Sequence, residues 1–264
     1  MEIQTQIQNI SAYMFRQIEE PEKWLPILKE KAEELSLKGT ILLSKEGINL
    51  FLAAPAADLN QFLDFLRQDS YLGSDFAKKL VVGYTNYQPF GRMVVRMVKE
   101  IITMRVPGID PESERAPWVQ PEKLKVWLDQ GTDDEGREIV MLDTRNLFEV
   151  EMGTFDQAEY LNIDKFSQFP EAIKELVENQ PNLKDKTIVS FCTGGIRCEK
   201  AALYLQELDL PKVYQLDGGI LGYFDKVGGS HWQGECFVFD DRIALSPDLK
   251  ETKKDYAGRT RRNT

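Results

Sequence analysis

Ser190-Phe191-Cys192-Thr193-Gly194-Gly195-Ile196-Arg197-Cys198-Glu199-Lys200 continues the run Thr187-Ile188-Val189. The stretch reads as a buried strand that runs into a cysteine, then a short loop with two glycines, then a helix. Ligands in open parallel α/β sheets bind at the carboxyl ends of strands, and Cys192 stands at such an end. A loop wrapping from strand to helix turns backbone N–H groups inward, and the helix N-terminus adds partial positive charge. Gly194 and Gly195 supply the backbone freedom that this needs. The backbone of Thr193, Gly194, Gly195, Ile196, Arg197 and Cys198 is therefore expected to form an anion cradle centred on Cys192. Its donors favour the thiolate, the nucleophilic form of cysteine, and would equally hold a persulfide anion.

The spacing separates two chemistries. Cysteine-dependent phosphatases close a Cys-x5-Arg loop around a phosphate, whereas here Arg197 closes a Cys-x4-Arg loop. The shorter loop suits a single sulfur atom. An inert buried thiol is the commonest fate of a free cysteine, but the strand end, the glycines and the arginine together favour a nucleophile.

Outward from this loop, helix and strand alternate. Helices are expected at Pro121–Leu128, Phe169–Val177, Cys198–Leu208 and Ile220–Val227, and strands at Ile139–Leu142, Glu159–Ile163, Thr187–Phe191 and Val213–Leu216. The continuous apolar strands are those of a parallel sheet covered on both faces. The first third reads differently. Strands are expected at Asn9–Ile18, Thr40–Leu43, Ile48–Leu52, Leu80–Tyr84 and Arg92–Ile102, with helices at Pro21–Leu35 and Ala57–Leu66. The order βαββαβ matches a ferredoxin-like or acylphosphatase-like sandwich of two helices on an antiparallel sheet. The chain thus divides into a ferredoxin-like domain over residues 1–105, a proline-bearing linker over 106–118, a parallel α/β domain over 119–227 and an extension with a basic tail over 228–264. The last fifteen residues are expected to be mobile.

Composition bounds the function. The 264 residues are 42% hydrophobic and 29% charged, which excludes global disorder and a fibre. A net charge of −10 excludes nucleic-acid or membrane coating through bulk charge. Three cysteines make no disulfide framework, and a single histidine, His231, excludes multi-histidine metal sites and a histidine-based catalytic pair. No cofactor or metal site is evident. No window of ~18 apolar residues exists, so no transmembrane helix is expected. Free thiols and the lack of a signal-peptide pattern point to the cytoplasm.

The loop CTGGIRCEK, residues 192–200, resembles the active loop of the rhodanese-like proteins of the TrhO family, the oxygen-dependent tRNA uridine hydroxylases. The likeness extends to Ser44-Lys45-Glu46-Gly47-Ile48-Asn49, to Pro107-Gly108-Ile109-Asp110, and to Asp143-Thr144-Arg145-Asn146 with Phe148, Glu149 and Gly153-Thr154-Phe155. Asp217-Gly218-Gly219-Ile220 and Gly234-Glu235-Cys236-Phe237-Val238-Phe239-Asp240 fit as well. The resemblance implies a rhodanese-like second domain and oxygen-dependent hydroxylation of the tRNA wobble uridine to 5-hydroxyuridine. It implies molecular oxygen as co-substrate and a persulfide on Cys192, supplied by a sulfur-donor protein or a small-molecule persulfide. Many relatives continue into a cysteine-rich region, whereas this chain ends in a basic tail. Two rival readings share the loop: a sulfurtransferase that moves sulfane sulfur to a thiol acceptor, and a non-catalytic rhodanese-like module that binds a partner.

The remaining candidates carry paired readings. Arg145, beyond the strand ending at Asp143, can reach the loop and pair with an anion, or form a structural salt bridge with Glu149 as one partner. Asp143 is expected to fix local backbone. Arg197 either points into the loop or braces it. Cys198 reads as half-buried in the helix's first turn, with disulfide formation against a Cys192 persulfide as the alternative. Cys236 is expected to pack and His231 to lie at the surface.

For the RNA, residues 75–106 hold six basic residues, Lys78, Lys79, Arg92, Arg96, Lys99 and Arg105, against Asp75 and Glu100. The tail from Lys250 repeats that ratio. Charge is therefore segregated, as a basic RNA groove on an acidic body requires. Tyr84, Tyr87 and Phe90 lie in the same stretch and are candidates to stack bases, the alternative being a solvated basic strand face with the aromatics packed inward.

Overall fold

The computed structural model describes residues 6–68, 72–74, 76 and 80–252. The chain forms two compact units, one of residues 1–101 with 239–241, the other of residues 102–238 with 242–264.

The first unit runs β1 (Ile7–Phe15), α1 (Pro21–Glu34), β2 (Lys38–Ser44), β3 (Gly47–Pro55), α2 (Ala56–Arg67), β4 (Val81–Thr85) and β5 (Met93–Met97). Its sheet has the order β4-β1-β3-β2-β5. The first four strands pair antiparallel, as βαββαβ requires. β5 is a correction to the all-antiparallel expectation, because it joins the edge parallel to β2. It is also shorter than the expected Arg92–Ile102, since the backbone of Ile101 is taken by side chains instead. Ile101 N–H donates to Glu46 Oε1 at 2.6 Å and its carbonyl accepts from Asn49 Nδ2 at 3.2 Å. Between them Gly47 has φ +146°, and a Cβ there would lie 2.1 Å from the Met14 carbonyl oxygen. The Glu46-Gly47-Ile48-Asn49 turn therefore has a structural explanation, a close strand approach flanked by two side-chain clamps. Leu28 and Ala32 of α1 and Leu59, Phe62, Leu63 and Leu66 of α2 pack on Ile10, Ile41, Leu43, Leu50 and Leu52 as one core.

The second unit runs β6 (Trp118–Val119), α3 (Pro121–Gln130), β7 (Ile139–Asp143), α4 (Leu147–Val150), β8 (Gly153–Phe155), β9 (Glu159–Tyr160), α5 (Phe169–Asn179), β10 (Thr187–Phe191), α6 (Ile196–Glu207), β11 (Val213–Leu216) and α7 (Gly219–Val227). Three short strands follow: β12 (Trp232–Gly234), β13 (Cys236–Phe237) and β14 (Ala244–Leu245). The main sheet, β6-β11-β10-β7-β9, is parallel throughout, with β10 at its centre. Every residue of β10 is buried: Ile188, Val189 and Phe191 are apolar, and the Thr187 and Ser190 hydroxyls donate to Asp133 Oδ2 and the Tyr214 carbonyl.

The chain between the two cores is not a free spacer. Residues 106–117 lack helix and strand, as expected of a linker, yet Met104 and Ala116 are buried in the second core and Val106 and Ile109 pack against it. Lys200 Nζ also donates to the Ile102 carbonyl at 3.1 Å. The expected extension is folded as far as Thr252. β12 pairs antiparallel with β8, and Trp232 packs edge-on against Phe155 and Phe224. Three-residue strands carry too little alternation to be read in advance. The basic tail expected to be mobile lies outside the described residues from 253 onward.

Candidate active site

β10 delivers Cys192 to the centre of the parallel sheet, where the sulfur is buried. Gly195, with φ +99°, turns the chain so that α6 starts at Ile196, two residues earlier than expected. Gly195 N–H donates to Cys192 Sγ at 3.1 Å, and the Arg197 N–H reaches the same sulfur. The cradle is therefore narrower than the expected run from Thr193 to Cys198. Cys198 N–H is spent inside the helix on the Gly195 carbonyl, at 3.0 Å. Gly194 and Ile196 form its partly exposed rim, and Thr193 is buried.

A second helix start holds the loop from behind. Gly218 and Gly219 both have positive φ and open α7. Ile220 N–H donates to the Cys192 carbonyl at 3.0 Å and Leu221 N–H to the Thr193 carbonyl at 3.2 Å. With its carbonyls turned toward α7, the loop leaves its amides for the sulfur. A Cβ on Gly219 would lie 2.5 Å from the Cys192 carbonyl oxygen.

Arg197 braces rather than points into the loop. Its Nη1 and Nη2 donate to Glu149 Oε2 and Oε1 at 2.7 and 2.8 Å, both side chains being buried. Burial pushes the Glu149 carboxyl up, but the Arg197 charge and hydrogen bonds outweigh it and hold the group below the ordinary carboxylate range. Arg145 is fully buried and does not serve an anion at the loop. Its partner is Asp143, not Glu149: Nε donates to Oδ1 at 2.9 Å and Nη2 to Oδ2 at 2.6 Å. Nη2 also donates to the Gly153 carbonyl at 2.6 Å. Asp143 accepts the Arg145 N–H and the Thr154 hydroxyl as well, so it fixes the backbone around β8.

The three cysteines have different electrostatic settings. Burial pushes the Cys192 thiol up, but the Cys198 hydrogen bond, the Arg197 charge and the loop amides bring it down to about 6. Burial and the facing Cys192 sulfur push Cys198 well above the ordinary thiol range. Cys198 is fully buried, a correction to the half-buried expectation, and lies 3.8 Å from Thr144 Oγ1. Burial pushes Cys236 up to about 12 even with Arg145 nearby. Cys236 is fully buried, as expected of a packing residue, and the Thr193 hydroxyl of the active loop donates to the carbonyl of its neighbour Phe237 at 3.4 Å. His231 pairs with Asp129 at 2.7 Å at the surface. Among the described residues no cluster of three or more His, Cys, Asp or Glu could hold a metal ion.

On the first unit, Arg92, Arg96 and Lys99 are exposed along and beside β5. Tyr84 is 56% exposed and Tyr87 36%, while Phe90 is half-buried, so two of the three expected stacking rings face solvent. Lys78 and Lys79 lie outside the described residues.

Two family models match the chain. Residues 7–101 match the UPF0176 acylphosphatase like domain and residues 121–226 the rhodanese-like domain. Both parts of the expected fold class are thereby found. The tRNA uridine(34) hydroxylase of Burkholderia vietnamiensis is 53% identical over 248 residues, covering 94% of this chain and 86% of that protein. That of Cupriavidus necator is 56% identical over 245 residues, covering 93% and 85%. That of Paraburkholderia xenovorans is 51% identical over 248 residues, covering 94% and 85%.

Proposed function

The chain belongs to the tRNA uridine(34) hydroxylases, and on that premise we propose that Cys192 is the residue through which it hydroxylates the wobble uridine, with dioxygen supplying the inserted atom. The protein is a tRNA-modifying enzyme, and the product expected from uridine 34 is 5-hydroxyuridine. The observation that carries the role of Cys192 is its sulfur, buried at the end of β10 under the Gly195 and Arg197 amides. Those donors hold a sulfur anion, either the thiolate or a persulfide received from a donor protein or a small-molecule persulfide. Arg197, through Glu149, and the glycine turn of α7 act as positioning groups, because they shape the loop without facing its interior. Arg92, Arg96 and Lys99 supply phosphate contacts for the tRNA, and Tyr84 and Tyr87 offer rings for unstacked bases. No described helix is long and apolar enough to cross a membrane, and the cytoplasm, where tRNA is modified, is the proposed compartment.

The test uses purified protein, unmodified tRNA and isotopically heavy dioxygen, with the digested nucleosides read by mass spectrometry. The expected product is a uridine heavier by one labelled oxygen, absent with Cys192→Ala. Label arriving from water, or product formed by the variant, would overturn the assignment.

A further inference from the structure

Only one face of the first unit's sheet is covered by its helices. Ile10, Ala12, Ile41, Leu43, Leu50 and Leu52 point into the core beneath α1 and α2. Alternation puts Tyr13 of β1, Phe51 of β3, Leu42 of β2 and Val94 of β5 on the opposite face. The registers align two rows across that face, Ser11–Phe51–Thr40–Val94 and Tyr13–Asn49–Leu42–Arg96. Phe51 therefore stands diagonal to Tyr13 on two adjacent inner strands. A sheet face that meets solvent ordinarily carries polar residues. Here Tyr13, Leu42, Phe51 and Val94 are each half-buried, so an apolar patch keeps contact with water. A third ring joins it: Phe239, which belongs to the same unit, lies 6.0 Å from the Phe51 ring at 48° and is 48% exposed.

The charge on this face has one sign. Among its described strand positions Lys38, beside Ala53, and Arg96, beside Leu42, are the only charged residues, in a chain whose net charge is −10. The acids that follow Phe239, Asp240 and Asp241, stand outside the strands. Half-exposed rings flanked by cations suit unpaired nucleotides, whose bases stack on the rings while their phosphates meet the cations. A duplex, with its bases already stacked on one another, gains only from the cations. Resting on the tRNA-modifying reading above, we propose that this open face stacks unpaired bases of the tRNA on Tyr13, Phe51 and Phe239, with Lys38 and Arg96 on the adjoining phosphates. The partner is the single-stranded part of the substrate RNA. Stacking tolerates any base, so the face selects unpaired RNA rather than a sequence.

The experiment measures binding of the full-length protein to unmodified tRNA, to an oligouridylate and to a blunt RNA duplex, each over a range of salt. Phe239→Ala and Phe51→Leu are each expected to weaken binding of tRNA and of oligouridylate by about fivefold or more. Their salt slopes should match wild type, because no phosphate contact is lost. The duplex should bind both variants as it binds wild type. Phe239→Trp, which restores a ring, should keep wild-type affinity, and oligouridylate should quench its added indole fluorescence. A wild-type urea midpoint for Phe239→Ala, a change at an exposed ring, separates lost stacking from a folding defect. Wild-type affinity for tRNA in both folded variants would overturn the inference and leave the hydroxylase reading standing, as would an equal loss on the duplex. A wild-type dimer that Phe239→Ala splits, with tRNA affinity unchanged, would overturn it by giving the face to a second copy of the chain. Wild-type protein that neither binds tRNA nor makes hydroxyuridine from it would overturn the hydroxylase reading and this inference together.

Discussion

Arg197 and Glu149 form a two-bonded buried pair, 2.7 and 2.8 Å, that joins the first turn of α6 to α4 across 48 residues of sequence. The pair holds a positive charge behind the Cys192 sulfur without blocking the loop. Removing one partner leaves the other as an uncompensated buried charge, which costs roughly 3–5 kcal/mol. Glu149→Gln is therefore expected to lower the urea midpoint strongly. The Glu149 carboxyl is depressed in the folded state, so its contribution is present above its unfolded value and fades as pH falls through the folded value. The gap between wild type and Glu149→Gln should be full near neutrality and narrow in acid. A gap independent of pH would show that the ion pair is not the source.

Cys192, held at about 6, is expected to be the first of the three thiols to ionise. Its alkylation rate by a small haloacetamide should rise through pH 6 and level off near neutrality. Cys198 and Cys236, both pushed up by burial, should stay unreactive in the folded protein over that range. A Cys192 midpoint near ~8.5, the value of an ordinary thiol, would mean that the loop does not stabilise the anion.

Gly219 meets two demands, a φ of +62° and a Cβ position 2.5 Å from the Cys192 carbonyl oxygen. Gly131, at the end of α3, shares only the first, since its φ is +76° but a Cβ would meet nothing within 4 Å. Gly131→Ala is expected to cost about 1–2 kcal/mol, the strain of a left-handed alanine. Gly219→Ala should cost more and also slow hydroxylation, because the carbonyl it strikes belongs to the nucleophile. Equal melting shifts for the two variants, with hydroxylation unchanged, would remove α7 from the account of the loop.

Much of this site is readable from local chemistry. The strand Thr187–Phe191 appears with the bounds expected, because Ile188, Val189 and Phe191 give a fully buried parallel strand a mostly apolar run, with only the small hydroxyls of Thr187 and Ser190 between them. The start of α6 is not, since a glycine at φ +99° can cap a helix without any of the side-chain signals that mark a start. Nor are the partners of the two buried arginines. Asp143 stands two residues before Arg145 and pairs with it, while Glu149, four residues after Arg145, turns instead to Arg197. Choosing between two acids needs the path of the backbone, which spacing does not carry. Phe237 reaches the active loop for the same kind of reason: it is 44 residues past Thr193, and the fold brings it back.

The basic edge of the first unit makes the last prediction. Arg96 lies on β5 and Lys99 just beyond it, both exposed, within a protein whose net charge is −10. A polyanion approaching such a body gains only where cations are concentrated, so each neutralised phosphate should release counterions measurably. Arg96→Gln and Lys99→Gln are each expected to weaken tRNA binding and to flatten the log–log dependence on salt by about 0.7–0.9 for each phosphate no longer neutralised. The pH profile of Cys192 alkylation should be unchanged in both variants, which separates weaker tRNA binding from a damaged loop. In kinetics the effect should fall on KM, with kcat retained, because these side chains hold substrate rather than the reacting atoms. A salt slope identical to wild type in both variants would place the tRNA on another face.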